Sequence, residues 1–257
     1  MKVVLYTLRN SRLHKLCAYR TSTAPIDIAI HAPSRQIAVA DLMKSVSIVT
    51  YYPPDPSKPS DTVHKLVETA RHFSTGWSTA VTRVGDGMWL ESDAEGNLIV
   101  LFQDTGALSA DDKKRLRVVS QLRLGEMVNR IRPIHINTSS AVPVVPKAFM
   151  ATVEGGVYLY GQIGQDYLDL LISLQAALAP MVESLGHVPF NSYRAFRNEV
   201  VETEEPLRFV DGELVEAFLE LPGTVQDTIV NKLGDVAKAK GGTEGVRDMV
   251  ETLRRLH

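Results

Sequence analysis

The sequence predicts a mainly β fold with a helical C-terminal domain, in which the last blades of a WD40-like β-propeller precede a small α-helical domain. Short apolar or alternating runs rich in Val, Ile and Tyr fill residues 1–163. A strand–turn–strand unit recurs at an interval of about fifty residues. From residue 164 onward the apolar pattern changes to the 3.6-residue period of helices. We therefore predict two domains, at 1–163 and 164–257.

The predicted strands follow one another through short connections that carry turn-forming residues. We expect strands near residues 2–8, 15–20, 26–32, 36–41, 46–52, 78–84, 87–92, 98–103, 116–124, 148–153 and 156–163. Longer connections are predicted at 53–59, 105–114 and 137–146.

The internal repeat indicates the architecture of the strand region. Its first copy pairs 37–41 with 46–51, and its second pairs 88–92 with 98–102. The run at 157–160 follows at a comparable distance. A period of about fifty residues is typical of a four-stranded propeller blade, so this region holds about three blades. Closed propellers have about four to eight blades, and open blade edges promote aggregation. We therefore expect the remaining blades to lie upstream.

An apolar stripe after the strands predicts a helix of about 20 residues that ends at Gly186. The stripe consists of Tyr167, Leu171, Leu174, Leu178, Met181 and Leu185.

Capping signals divide the remaining sequence into three shorter helices. Asp211 is a good N-cap for the first of them. Residues 224–227 resemble a capping box that begins the second, and Gly234 ends it. The third follows Gly241 and Gly242.

Composition bounds the function and the compartment. The net charge of −2 gives no basic excess that would favour nucleic acid as a direct partner. A single cysteine, Cys17, excludes an internal disulfide framework, which fits a reducing compartment. The N-terminal apolar run is too short for a signal peptide or a membrane span, so we expect no membrane partner.

A search for catalytic motifs favours a protein that is not an enzyme. The sequence contains no P-loop, dinucleotide-binding glycine motif, nucleophile elbow or zinc-protease helix motif. We therefore predict no catalytic residue, no cofactor and no metal site.

Two aromatic residues beside an arginine are a candidate for protein binding. Phe73 and Trp77 follow Arg71 where a loop becomes a strand. Trp and Arg are among the residue types that dominate protein–protein hot spots. On composition alone, however, the interpretation that Trp77 fills the core of the propeller is favoured.

Several segments carry a resemblance to a known family. Residues 209–219 read Phe-Val-Asp-Gly-Glu-Leu-Val-Glu-Ala-Phe-Leu, and the other matching segments are 37–46, 70–81, 124–129, 192–196 and 248–257. They resemble the family of damage-specific DNA-binding protein 1, the large adaptor of cullin-4-type ubiquitin ligases. The wider family includes the large subunit of the cleavage and polyadenylation specificity factor and a splicing-factor scaffold.

The resemblance implies the architecture and the partners. Full-length relatives have three seven-bladed propellers and a C-terminal helical domain, and this chain would hold the end of the third propeller and that helical domain. WD40-type substrate receptors would bind in the cleft between the first and third propellers. The implied contacts include Arg71 and Trp77, with Phe73 between them and with Ile28 and Ala29 on another strand. The cullin would bind the middle propeller, which is absent here.

The leading hypothesis is a non-catalytic adaptor that presents receptors to a ubiquitin ligase in DNA repair and protein turnover, in the nucleus and also in the cytoplasm. Besides the receptors, its partners would be the upstream propellers of the same protein, and it would contact DNA only indirectly. One alternative is a scaffold of mRNA 3′-end processing or splicing. The other is a module that binds damaged DNA directly.

Overall fold

Antiparallel β-sheets packed side by side form the first part of the chain. The computed structural model describes residues 1–57, 62–136, 142–182 and 185–256. Its strands are β1 (Lys2–Arg9), β2 (Arg12–Arg20), β3 (Pro25–His31), β4 (Gln36–Asp41), β5 (Ser45–Tyr52), β6 (Lys65–Arg71), β7 (Ser78–Gly85), β8 (Met88–Asp93), β9 (Asn97–Gln103), β10 (Leu116–Arg123), β11 (Val128–Pro133), β12 (Val144–Thr152) and β13 (Val157–Ile163).

The strand order is that of a partial propeller. A β1–β2 hairpin precedes two four-stranded sheets, β3–β4–β5–β6 and β7–β8–β9–β10, and a three-stranded sheet, β11–β12–β13. The first strand of each of these three sheets is its innermost, because β3 contacts β7 and β7 contacts β11. Neighbouring innermost strands around a common channel are the arrangement of propeller blades. The predicted mainly β fold with helices near the C-terminus is confirmed.

The cores of the propeller lie between blades. Ile48 of the first blade packs in one cluster with Trp89 and Leu101 of the second. Leu90 of the second blade packs in another cluster with Met150 of the third. The central strands β4, β5, β8 and β9 are therefore covered on both faces, which explains their nearly continuous apolar sequences.

The internal repeat corresponds to the two central strands of each blade. β4 and β5 begin at residues 36 and 45, and β8 and β9 begin at residues 88 and 97. The β4–β5 turn and the β8–β9 turn each start at a buried aspartate, Asp41 and Asp93. Asp93 Oδ1 accepts hydrogen bonds from the backbone N–H groups of Glu95 at 3.0 Å and Asn97 at 2.8 Å. Asp41 Oδ1 accepts one from the N–H of Met43 at 3.3 Å.

Two strands are not predicted from the sequence. β6 is the outermost strand of its blade, and alternating exposure leaves it with charged residues that hide the strand pattern. β11 contains Arg130 and Arg132 and ends at Pro133, which is typical of a strand end. In addition, β12 begins at Val144 rather than near residue 148.

The helices are α1 (Ala110–Lys113), α2 (Gln165–Leu178), α3 (Phe190–Arg194), α4 (Gly212–Glu216), α5 (Gly223–Leu233), α6 (Asp235–Lys238) and α7 (Gly242–Arg254), with 3₁₀ turns at Leu185–His187 and Ala217–Glu220. α2, α4, α5 and α7 share one apolar core. In that core Leu174 packs in the same cluster as Phe218 and Val250. None of the helices in the described part of the chain has the length and apolarity needed to cross a membrane.

The prediction of a 20-residue helix after the strands is wrong. α2 spans 14 residues and ends at Leu178. Pro180 follows two residues later and has no N–H group to continue the helical hydrogen bonds. Met181 is 46% exposed, so the apolar stripe does not extend across it.

One of the two predicted N-terminal caps is confirmed. Asp211 accepts hydrogen bonds from the N–H groups of Glu213 at 3.0 Å and Leu214 at 3.4 Å. The capping box at 224–227 is wrong, because α5 begins earlier, at Gly223, and has no side-chain cap. The stop at Gly234 is confirmed by its left-handed φ of 63°.

The three predicted long connections have different outcomes. The connection at 105–114 contains the short helix α1. Residues 58–61 and 137–141 lie outside the described residues, so parts of the connections at 53–59 and 137–146 have no structural account.

Candidate protein-binding surface

The segment 72–77 joins the outermost strand of the first blade to the innermost strand of the second. It carries two exposed aromatic residues, Phe73 at 67% and Trp77 at 56% exposure. Trp89, by contrast, is 0% exposed and fills the core between these blades. The exposed position of Trp77 excludes the alternative that this tryptophan packs in the propeller core. We call residues 72–77 the aromatic loop.

Backbone hydrogen bonds hold the aromatic loop on both sides. His72 N–H donates to the carbonyl of Val46 at 2.9 Å, and the Ser45 N–H donates to the carbonyl of Gly76 at 3.3 Å. On the other side, the N–H of Ala94 donates to the carbonyl of Trp77 at 2.8 Å. These bonds hold the loop to the start of β5 in the first blade and to the β8–β9 turn in the second. Its aromatic residues therefore project from a backbone that is fixed in place.

A buried polar cluster lies beneath the loop. The hydroxyls of Ser45 and Ser78 donate to the Glu91 carboxylate, with 2.8 Å between Ser45 Oγ and Glu91 Oε1. His72 Nδ1 lies 2.8 Å from Ser45 Oγ and 3.8 Å from Glu91 Oε2. Burial raises the pKa of Glu91 to about 7 and lowers the pKa of His72 to about 4. The imidazole is therefore neutral at pH 7, and the cluster links the strands of both blades to the loop.

Arg71 is engaged within the protein. Its Nη2 donates to Glu68 Oε2 at 2.6 Å, and the Tyr19 hydroxyl donates to the same oxygen. Its backbone N–H donates to the carbonyl of Lys114 at 2.8 Å. In the described part of the chain, the Nε of Arg71 has no hydrogen-bond partner. Arg71 thus anchors the start of the loop and keeps only part of its guanidinium accessible.

Phe73 is positioned by another arginine. The guanidinium carbon of Arg115 lies 5.5 Å from the centroid of the Phe73 ring, within the range of a cation–π contact. This contact restricts the ring while leaving most of its surface in solvent.

Ile28 and Ala29 lie elsewhere, on the innermost strand β3. Ala29 is partly buried against the cluster that contains Trp89. Ile28 points to the other side of the strand and is 46% exposed. The structure thus brings Arg71, Phe73 and Trp77 together in one segment and places Ile28 and Ala29 on a different strand.

Two further exposed apolar residues lie at the same ends of the blades as the aromatic loop. Met43, in the β4–β5 turn, is 53% exposed, and Val153, in the β12–β13 turn, is 56% exposed. Neither residue is predicted from the sequence. The signal that each carries is an apolar side chain in the turn between two strands. We define Met43, Phe73, Trp77 and Val153 as the turn face.

The C-terminal segment is attached to the second blade next to this face. Asn97 Nδ2 donates to the carbonyl of Arg197 at 2.8 Å. The edge of β10 is paired with Leu207, because the Gln121 N–H donates to the Leu207 carbonyl at 3.0 Å and the Leu207 N–H donates to the Gln121 carbonyl at 2.8 Å. These bonds fix the start of the helical core relative to the propeller.

The exposed aromatic loop and the turn face offer a surface for binding. Within the residues that the structure describes, no group of three or more His, Cys, Asp or Glu side chains could hold a metal ion. The blades, the exposed loop and the attached helices define the chain as part of a propeller-type protein with a helical C-terminal extension.

Comparison with known proteins gives the family. The family model described as CPSF A subunit region matches residues 1–220, and the chain belongs to that family. It is 27% identical over 256 residues to DNA damage-binding protein 1 of Schizosaccharomyces pombe, covering 99% of this chain and 23% of the relative. It is 29% identical over 225 residues to DNA damage-binding protein 1a of Arabidopsis thaliana, covering 86% of this chain and 19% of the relative. The chain thus spans about a fifth of the length of these relatives.

Proposed function

We propose that this chain is part of a non-catalytic scaffold that docks substrate-receptor proteins to a cullin-4-type ubiquitin ligase in DNA-damage repair and protein turnover. The observation that carries the proposal is the aromatic loop, which exposes Phe73 and Trp77 on a hydrogen-bonded backbone. Relatives named DNA damage-binding protein support the biological setting.

The turn face has the physical properties of a binding hot spot. Phe73 and Trp77 offer large apolar surfaces that lose little conformational entropy on binding. The aromatic loop is held by neighbouring turns before any partner arrives, which lowers the cost of association. We propose that Phe73 and Trp77 make the central contacts, with Arg71 positioning them. Ile28 and Ala29 would contribute only if the partner extends to the innermost strand.

The partners follow from this arrangement. WD40-type receptors would occupy the cleft between this propeller and an upstream propeller of the same protein. The cullin would bind through another propeller, and DNA would be contacted through the receptor, since the net charge of −2 gives no basic excess. The location that fits these partners is the nucleus, and also the cytoplasm.

A scaffold of mRNA 3′-end processing or splicing is the second candidate. The description of the matching family, CPSF A subunit region, favours it. The relatives named above favour the DNA-damage setting. The two candidates share the fold and the turn face, so only the identity of bound partners separates them.

The test is affinity purification of the tagged full-length protein, which would include the propeller that binds the cullin, from cells, followed by mass spectrometry. Wild type is compared with Phe73→Ala/Trp77→Ala and with Leu108→Ala, a control that removes a fully exposed apolar side chain outside the turn face. We expect wild type and control to recover a cullin with propeller-type receptors, and the double variant to lose the receptors alone. Recovery of polyadenylation or splicing subunits would overturn the function, and unchanged receptor recovery would overturn the site.

A further inference from the structure

A cavity of about 550 Å³ lies among the three innermost strands, at the ends of the blades opposite the aromatic loop. It is lined by the second halves of β3, β7 and β11 and by the start of β12. Its charged lining consists of the cations Arg83, Arg130, Arg132 and Lys147 and the carboxylates Asp27 and Asp86, with His31 and His135 beside them. We call this region the channel mouth.

Positive charge exceeds negative charge at the channel mouth. Arg83 Nη2 pairs with Asp86 Oδ1 at 2.8 Å, and Arg130 Nη1 pairs with Asp27 Oδ1 at 3.3 Å. Within the described residues, Arg132 and Lys147 form no ion pair and no side-chain hydrogen bond. Two cations are therefore left without a counter-charge.

The environment of Arg83 and His31 supports this assignment. The Nε of Arg83 is buried and has no hydrogen-bond partner among the described residues. Burial, and then the charge of Arg83, lower the pKa of His31, while Asp86 opposes this and His135 adds to it. Burial is the largest cause of this shift, and the contribution of Arg83 is the part that agrees with an excess of positive charge.

The carboxylate of Asp27 is itself an anion bound by donors on the neighbouring innermost strands β7 and β11. Its Oδ2 accepts a hydrogen bond from the backbone N–H of Val81 at 3.2 Å, while Oδ1 contacts Arg130. The N–H of Val81 is available because each innermost strand pairs with a single neighbour and presents its other edge to the channel. One carboxylate thus accepts from a backbone donor and an arginine together, and the remaining cations line the same cavity.

We propose that the channel mouth is a binding site for a multiply charged phosphate anion, held by Arg83, Arg130, Arg132 and Lys147. Arginine guanidinium groups match the geometry of phosphate oxygens with paired N–H donors. The cavity volume lies within the range of small-ligand sites, whereas a folded protein partner needs a wider surface. The phosphate chemistry is shared by free polyphosphate, by the tail of a nucleoside triphosphate and by an inositol polyphosphate.

The first test is isothermal titration of the 257-residue chain with sodium tripolyphosphate. The variant Arg132→Gln/Lys147→Gln removes the two unpaired cations without breaking an ion pair. We expect its affinity to fall about tenfold or more, because the variant removes two donors of charge-assisted hydrogen bonds to the phosphate. Arg117→Gln, which removes an exposed cation on β10 outside the channel mouth, should bind as wild type does. Equal affinity in wild type and double variant, or equal losses in both variants, would overturn the site.

Further titrations separate the sources of the phosphate. ATP and inositol hexakisphosphate are compared with tripolyphosphate at one ionic strength, and the tightest of them identifies the class. A poly-glutamate peptide is the contrasting probe, and its binding as tightly as the best phosphate would overturn the proposal in favour of an acidic peptide. The absence of saturable binding by every phosphate would overturn it as well. Thermal melting of each variant without ligand checks that the fold is retained.

Discussion

At the scale of single residues, burial distinguishes Trp77 from Trp89 both in the contribution to stability and in the role of the side chain. Trp89 lies in the interface of two blades, and removal of its ring would leave a large cavity among Ile48, Leu101 and Leu116. Trp77 has most of its ring in solvent and is held through its backbone carbonyl. The first residue stabilises the propeller, while the second is available to a partner.

The two tryptophans should therefore differ in their effect on stability. We expect Trp89→Ala to lower the free energy of unfolding by about 3–5 kcal/mol, as large core truncations do. Trp77→Ala should lower it by less than about 1 kcal/mol, because an exposed ring makes few packing contacts. Urea denaturation of the purified chain measures both. A loss for Trp77→Ala as large as that for Trp89→Ala would show that the aromatic loop is a structural element.

The polar cluster beneath the aromatic loop predicts an unusual pH dependence. The pKa of Glu91 rises from 4.5 to about 7 on folding, so this residue's contribution to the free energy of unfolding decreases as pH rises between these values. The pKa of His72 falls from 6.5 to about 4, so its contribution increases with pH in that interval. The two contributions oppose each other across most of the same range. Asp93 nearby, whose pKa burial also raises, acts in the direction of Glu91.

Glu91→Gln removes one contribution and leaves the other. We expect the stability difference, wild type minus variant, to decline steadily from pH 4.5 to pH 7. Denaturation of both proteins at several pH values measures this difference, in which the contributions of groups far from Glu91 cancel. A difference that does not change with pH would contradict the burial of a protonated Glu91.

At the scale of elements, the sequence predicts the parts whose pattern is not disturbed by their surroundings. The central strands β4, β5, β8 and β9 were predicted because burial on both faces requires apolar residues throughout. β6 is not predicted because an outer strand tolerates charge, which hides its pattern. The apolar stripe predicts too long an α2 because spacing alone does not show the break in helical hydrogen bonding at Pro180. The turn face could be predicted only in part, since the exposure of Met43 and Val153 depends on blades that are far apart in sequence.

The start of α4 combines a local signal, the N-cap Asp211, with a contact that is distant in sequence, the ion pair between Asp211 and Arg194. Asp211 caps the helix with Oδ1, and its Oδ2 accepts a hydrogen bond from Arg194 Nε at 2.7 Å in a buried ion pair. We expect Asp211→Ala to lower the free energy of unfolding by about 3 kcal/mol or more, because it removes a cap and leaves a buried charge unpaired. Asp211→Asn should lose less, because it keeps the capping oxygen.

Chemical denaturation compares these variants with Thr224→Ala as a control. Thr224 lies inside α5 rather than at its N-cap, so its substitution should change stability by less than about 0.5 kcal/mol. A larger loss of stability for Thr224→Ala would support the predicted capping box at 224–227. Equal losses of stability for Asp211→Ala and Asp211→Asn would assign the whole effect to the ion pair with Arg194.

At the scale of the whole molecule, the faces of the first blade differ in how they are covered. The β1–β2 hairpin covers the outer part of one face, where Val3 and Tyr19 pack against Val39 and Val49. The inner part of that face carries Ile26, Ile28 and Ile30, which are 48%, 46% and 68% exposed. Three isoleucines in a row on one side of β3 form an apolar stripe of the kind that neighbouring blades cover in a propeller.

This stripe predicts the behaviour of the chain on its own. We expect the 257-residue chain to self-associate with rising concentration, and Ile28→Lys/Ile30→Lys to reduce that association, because charge on an exposed strand opposes edge and face pairing. Sedimentation velocity measures it, with Ile172→Lys, an exposed isoleucine on α2, as the control. If Ile28→Lys/Ile30→Lys and Ile172→Lys both associate as wild type does, the stripe is not the contact.

The variant Ile28→Lys/Ile30→Lys, used in the receptor purification, separates two roles of Ile28. Loss of receptors without loss of stability would assign it to receptor binding, whereas retained receptors with reduced self-association would assign it to contact between blades.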